Sequence, residues 1–322
     1  MINRAIKLII LIQSMLTVSY AYGQSNPYQQ VIGLFDDAQI VFLGERHWSK
    51  QDSDFRIALL KHRELAYQID DLVIEFGNSL YQNRLDAYFL DLQDISDGEL
   101  SQVWRNTTQT SGVWDSPVYE RFLLELRKVN ERLPKKVRIR VVAAGPPINW
   151  DKVEVFEDQL PFLNRGWSFV RIIEREVLEK DHKALVIIGR GHLNRRDDEM
   201  GEDDNLIRRL EGLYPKKRFS VVVPAYSLTS DATDITDLIK ENDFPTYVDS
   251  HSAPFKNLEA ANYLPGTIGL LEEVVDGLIF WGAAKDQEVG PDEHFYDMHP
   301  SYFKELERRR GLTKRLPLKS YN

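Results

Sequence analysis

Six short apolar runs, separated by longer amphipathic stretches, constrain this chain more than any other feature. They are "QIVFLGE" (39–45), "LVIEF" (72–76), "VRIRVVAAG" (137–145), "ALVIIG" (184–189), "FSVVVPAY" (219–226) and "GLIFWG" (277–282). All are rich in β-branched or aromatic residues, and their apolarity is continuous rather than alternating. That pattern suits strands covered on both faces, as in a parallel sheet. Helical spacing of apolar residues predicts helices over 52–68, 117–132, 165–180, 203–213 and 300–311. The second of these has Ser116 as its cap and Pro117 at its first position. The expected fold class is α/β: a three-layer α/β/α sandwich with a mainly parallel sheet and helical insertions. The stretch 145–165, "GPPINWDKVEVFEDQLPFLNR", is too polar and proline-marked for an ordinary crossover and reads as a functional or capping loop.

The first residues read as a targeting segment. Arg4 and Lys7 precede the apolar run "LIILIQSMLTV", and Ala21-Tyr22-Gly23 forms a small-x-small cleavage site. The run is too short to cross a bilayer. Residues 1–23 are therefore expected to be a signal peptide and 24–322 a single domain, periplasmic or secreted, with no integral membrane segment after cleavage. The 322-residue chain has a formal net charge of −9 and no cysteine. The charge disfavours nucleic acid and anionic membranes as partners. The missing thiols exclude disulfides, thiolate nucleophiles and thiolate metal sites.

Ligands of open α/β sheets gather beyond the carboxyl ends of the strands. Three of the apolar runs end in groups fit for chemistry: Gly44-Glu45-Arg46-His47, Glu75-Phe76-Gly77-Asn78 and Gly189-Arg190-Gly191-His192. Parallel strands would bring these endings to one edge. Glu45 and His47 are alternate residues and point the same way in extended backbone. They suit a base with its orienting carboxylate, or two ligands of one metal. Glu75 follows "LVI" inside a strand, where an ionised carboxylate is costly unless paired or metal-bound. A functional role for it is expected over simple structural pairing with Arg46 or Arg190, and either arginine could stabilise a substrate anion or an oxyanion. Asn78 is a candidate substrate contact or a simple turn cap. Trp48 is a candidate aromatic wall. His251, beside Asp249 and Ser250, hints at a polar loop near the cleft, and His294 and His299 could line its mouth.

The two Gly-x-x-His endings, together with "LGERH" and "IEFGN", resemble the superfamily of erythromycin esterases, Tiki/TraB proteases and ChaN-type haem-binding proteins. The runs "LYQNRLDAYF", "RKVN" and "GPPINW" are similar to exported bacterial members of that group. The resemblance covers most of residues 38–310 and is specific only in the short motifs. It implies catalytic or metal-binding roles for Glu45, His47, Glu75 and His192. In the esterase branch such a histidine activates water, in the Tiki branch the paired motifs hold a divalent metal, and the ChaN branch binds haem. This chain departs from the pattern in three places. One residue rather than two separates Glu45 from His47, Trp48 stands where ChaN has Asp, and Gly145 replaces an Asp before Pro146-Pro147.

Two functions are expected from these residues. The first is an exported hydrolase of an ester or amide bond in a small-molecule or peptide substrate. Catalysis would fall to Glu45, His47, Glu75, His192 and Arg190, and substrate contacts to Arg46, Trp48, Asn78 and His251. A Zn²⁺ or Mn²⁺ on His47, Glu75 and His192 is the metal-dependent version of this expectation. The alternative is a non-catalytic protein binding haem or an iron-related ligand.

Overall fold

A computed structural model describes residues 26–196, 205–226, 244–282 and 287–313. The expected signal peptide lies outside the described residues, as do the first two positions of the expected 203–213 helix. Seven strands form one sheet: β1 (Ile40–Glu45), β2 (Asp71–Asn78), β3 (Arg140–Gly145), β4 (Ala184–Gly189), β5 (Phe219–Ala225), β6 (Thr246–Asp249) and β7 (Gly277–Phe280). Their order is β3-β2-β4-β1-β5-β7-β6, with every pairing parallel except the antiparallel β6–β7 edge. The fold is thus a mainly parallel α/β sandwich. Among the described residues no helix is long and apolar enough to cross a membrane.

Continuous apolar runs are what a sheet with two covered faces requires. On β1, Val41 and Leu43 enter one core while Ile40 and Phe42 enter the other. On β2, Leu72, Ile74 and Phe76 join the first core and Val73 the second. The first core is covered by helices Lys50–Leu60 and Pro117–Glu131, through Phe55, Leu59, Phe122 and Leu126. The second is covered by helices Arg165–Ile173 and Leu206–Leu213, through Phe169, Ile173 and Leu210.

The helix boundaries follow local chemistry. The Ser116 hydroxyl accepts from the Val118 N–H at 3.3 Å, so Pro117 opens the helix where its missing N–H costs nothing. The expected 52–68 helix is two helices, Lys50–Leu60 and Arg63–Gln68, separated at Lys61 and His62. The 165–180 helix ends its α-helical part at Ile173 and continues as a π turn over Glu174–Leu178. The proline-rich stretch caps the strand ends, as Trp150 Nε1 donates to the Thr107 carbonyl at 3.0 Å and Ile148 and Val153 pack with it.

The chain's last described helix, Pro300–Leu312, is tied to this cap by arginines. Arg309 donates to the Arg105 carbonyl at 2.9 Å, Arg310 to the Thr110 carbonyl at 2.8 Å and Arg308 to the Val153 carbonyl at 2.8 Å. Buried Asp115 accepts from the Tyr302 hydroxyl at 2.9 Å and the Tyr296 hydroxyl at 3.0 Å. Burial outweighs these donors and the nearby Arg105 and Arg309, and pushes the Asp115 carboxyl up to about 6. The folded chain therefore holds this proton more tightly than the unfolded chain. Stability from it is complete below the ordinary value of 3.8 and is lost as pH rises through about 6. A shift of about two units amounts to roughly 3 kcal/mol. Asp115→Asn removes that titration. Between about pH 4 and about pH 8 the variant should gain stability relative to the native chain in denaturant melts, and a pH-independent difference would refute the assignment.

Candidate active site

Glu45 ends β1, Glu75 lies near the end of β2, and β4 runs between them to end at Gly189. Glu45 is in register with Gly189. Alternation along each strand sends the two carboxylates to opposite faces, Glu45 with Val41 and Leu43, and Glu75 with Val73. They meet at the last residue of the middle strand, where a glycine leaves room. A Cβ on Gly189 would lie 3.1 Å from His47 Cε1 and 3.3 Å from Glu75 Oε2.

Each carboxylate is neutralised by an arginine from the helix layer on its own face. Arg56, in helix Lys50–Leu60, pairs with Glu45 Oε2, and both members of this pair are buried. Arg165, first residue of helix Arg165–Ile173, pairs with Glu75 Oε1. The Gly189 N–H donates to Glu75 Oε2 at 2.6 Å, and His192 Nε2 lies 3.6 Å from Glu75 Oε1. The Tyr119 hydroxyl donates to Glu45 Oε1 at 3.1 Å. Burial opposes both negative charges. For Glu45, Arg56 and His47 overcome it and hold the carboxyl below its usual range. For Glu75, His192 and Arg165 do so more strongly, with help from His47.

His47 Nδ1 is 2.8 Å from Glu45 Oε1. An ionised carboxylate only accepts, so Nδ1 carries the proton and Nε2 presents its lone pair over Gly189. Burial lowers the imidazole's affinity for a second proton, but the hydrogen bond and charge of Glu45, with Glu75 behind it, raise it above 6.5. The ring stands edge-on to Trp114 at 4.9 Å and keeps 37% of its side chain exposed. Among the described residues, Glu45, His47 and Glu75 form a group whose donor atoms lie within 4.8 Å of one another.

The structure brings together four residues named from the sequence: Glu45, His47, Glu75 and His192. The others go elsewhere. The Arg190 guanidinium is turned toward β5 and donates to the Pro224 carbonyl at 3.4 Å, because the chain enters a 3-10 turn directly after Gly189. Arg46 stacks over Tyr226 at 5.2 Å and faces Glu288 at 3.8 Å. Trp48 adopts φ 67° and donates from Nε1 to the Val113 carbonyl at 2.6 Å, which ties it to the turn that carries Trp114. Fully buried Asn78 is used up as a brace. It donates to the Asn106 and Ile148 carbonyls at 2.6 and 2.8 Å and accepts from the Leu80 N–H at 2.9 Å.

His251 lies at the opposite end of the sheet. β6 is antiparallel, so Asp249 pairs with Gly277 at the amino end of β7, and His251 meets Asp276 at 3.1 Å. His294 is exposed between Glu293 and Asp297 at 3.4 and 3.5 Å. The residues that sequence reasoning did not place in the site are Arg56, Arg165, Tyr119 and the Gly189 amide.

Gly189 has φ −51° and ψ 130°, a conformation open to any residue. Gly189→Ala is therefore expected to leave the fold within about 1 kcal/mol of the native chain, while its methyl group pushes His47 and Glu75 apart. NMR titration of the His47 imidazole should move toward the ordinary histidine value. An unchanged titration would show that the floor of the site is not where we place it.

No family model matches the chain, and no curated protein matches it. A crystal structure of a Bacillus cereus protein is similar, with a TM-score of 0.55 at 12% identity, over 84% of this chain and 95% of that one. The fold is shared. Lesser similarity, at TM-scores of 0.40, extends to the type III effector HopBA1 (14% identity, 65% of this chain and 87% of that one) and to ChaN of Campylobacter jejuni, described with cofacial haem binding (12% identity, 66% and 91%).

Proposed function

We propose that the strand-end cleft is a hydrolytic site, in which His47 activates water for attack on an ester or amide carbonyl. The observation that carries this reading is the Glu45–His47 hydrogen bond through Nδ1, which fixes the tautomer and turns the basic Nε2 away from Glu45, to the side of Gly189 where Glu75 also lies. Glu45 is itself held by Arg56 and Tyr119, so the imidazole has little freedom to turn. As water loses its proton to Nε2, the new imidazolium is stabilised by Glu45 and Glu75. Arg165 keeps N–H donors beyond the one spent on Glu75, and these suit the negative charge that develops on the attacked oxygen. The same His47 imidazolium then returns its proton to the leaving group, which restores the free base, while His192 lies beside Glu75 at 3.6 Å and helps to hold that carboxylate.

The donor set also fits a divalent ion in kind and spacing. Glu45, His47 and Glu75 would hold Zn²⁺ or Mn²⁺, which would supply a more acidic bound water. A second reading rests on the same imidazole. The accessible Nε2 of His47 beside the Trp114 ring suits an axial haem ligand, as in a binding protein of the ChaN kind.

One set of measurements separates these. Purified protein is assayed against p-nitrophenyl esters and anilides, with its metal content determined by elemental analysis and haem titrated in parallel. Turnover that persists in metal-free protein supports the histidine mechanism, and turnover abolished by chelation and restored by Zn²⁺ or Mn²⁺ supports the metal form. A Soret band that titrates to one equivalent and is lost in His47→Ala, with no turnover of any substrate, would replace the hydrolase reading.

A further inference from the structure

Helix Arg165–Ile173 has a second use. Its first residue clamps Glu75, while Trp167, Ser168, Arg171 and Ile172 form one wall of a cavity of about 810 Å³. That volume falls in the range of pockets that take small organic ligands. Leu80, just past the end of β2, and Pro146 and Pro147, just past the end of β3, form another wall, and Phe162 of the capping stretch closes it. The surface here is unusually apolar for exposed positions. Leu80 and Trp167, which line it, are 44% and 38% exposed. Exposed apolar side chains gathered in one concavity mark a binding surface more often than scattered ones do.

The charge of the lining is the decisive feature. The chain has 50 acidic and 41 basic residues, yet among the described residues no carboxylate lines this cavity, and the charged groups that do are Arg171 and Arg175. Both arginines are exposed and lie one turn apart. Arg171 has no side-chain ion pair among the described residues. Arg175 donates to Glu176 at 2.8 Å, and Glu176 also takes Arg140 and Lys180 at 2.8 and 2.7 Å, while Arg140 is in turn answered by Asp86 at 3.1 Å, so Arg175 shares its carboxylate with two other cations. A guanidinium pair at the rim of an apolar trough fits a ligand with an anionic head and an apolar body.

We infer that this groove binds a free amphipathic carboxylate of the medium-chain fatty acid class. The chain lies along Leu80, Pro147, Phe162 and Trp167, and the head sits between Arg171 and Arg175. The inference goes beyond the hydrolytic reading and does not depend on it, since its test reads binding rather than turnover.

The test is isothermal titration of the full chain with decanoate below its micelle threshold, compared with decanol and decyltrimethylammonium. Decanoate is expected to bind saturably at one site, and both comparators about tenfold more weakly or not at all. Arg171→Glu with Arg175→Glu should weaken decanoate at least about tenfold, and Trp167→Ala should weaken decanoate and decanol alike. These positions are exposed, so an unchanged melting temperature will show that the variants fold. Equal binding of decanol and decanoate, or a charge-reversed variant that binds normally, overturns the inference. So does sedimentation with phosphatidylglycerol vesicles in the absence of decanoate binding, which would make the patch a membrane contact.

Discussion

Replacing Arg56 by methionine is expected to destabilise the fold by about 3–5 kcal/mol, a large part of the roughly 5–15 kcal/mol that a domain has in total. Arg56 and Glu45 are 3% and 2% exposed. Loss of the guanidinium leaves a carboxylate under the first core with only His47 and the Tyr119 hydroxyl to answer it. The chain would respond by protonating Glu45, so the Arg56→Met deficit should shrink in mild acid, where the native pair offers less advantage. Glu45→Gln added to Arg56→Met should recover most of the loss, because a neutral amide is far cheaper to bury. Urea melts of the three variants measure both effects. A deficit under about 1 kcal/mol for Arg56→Met alone would mean that Glu45 is not a buried charge and that His47 has no fixed anion behind it.

The second large effect concerns His47. If it is the base, His47→Ala should lower kcat for any ester or amide substrate by about a hundredfold to ten-thousandfold while leaving KM nearly unchanged. The side chain is partly exposed, and Glu45 keeps Arg56 and Tyr119, so the variant should fold normally. The pH profile gives an independent check. The base must be unprotonated, and Glu45 raises its proton affinity above the ordinary 6.5, so the rate should fall on the acid side of a midpoint higher than 6.5. Turnover in His47→Ala within a few-fold of the native rate would leave the imidazole a structural group.

The sheet and its polar edge were legible in the chain because the physics there is local. A continuous apolar run that stops at a glycine and an acid is already a buried strand with a polar end, and Glu45, His47, Glu75 and His192 lie where those runs stop. β6 had no such signature. Thr246–Asp249 is a four-residue edge strand with only Val248 fully buried, and without it the reversal that takes His251 to the far end of the sheet is invisible. The arginine partners were hidden for another reason. Arg46 and Arg190 are neighbours of the acids in sequence or motif, whereas the true partners, Arg56 and Arg165, stand 11 and 90 residues away from theirs. Which arginine reaches which acid is decided by the packing of two helix layers, and no spacing rule along the strand ends encodes that.

The amide of Gly189 has a practical consequence. A main-chain proton held by a buried carboxylate resonates far downfield and exchanges slowly, and both properties depend on whether that carboxylate is charged and still in place. Alanine scanning is blind to such a group, because removing a side chain there is impossible. Nuclear magnetic resonance of this single backbone proton would therefore serve as a built-in gauge, reading occupancy of the pocket by any guest without a substrate having to be known.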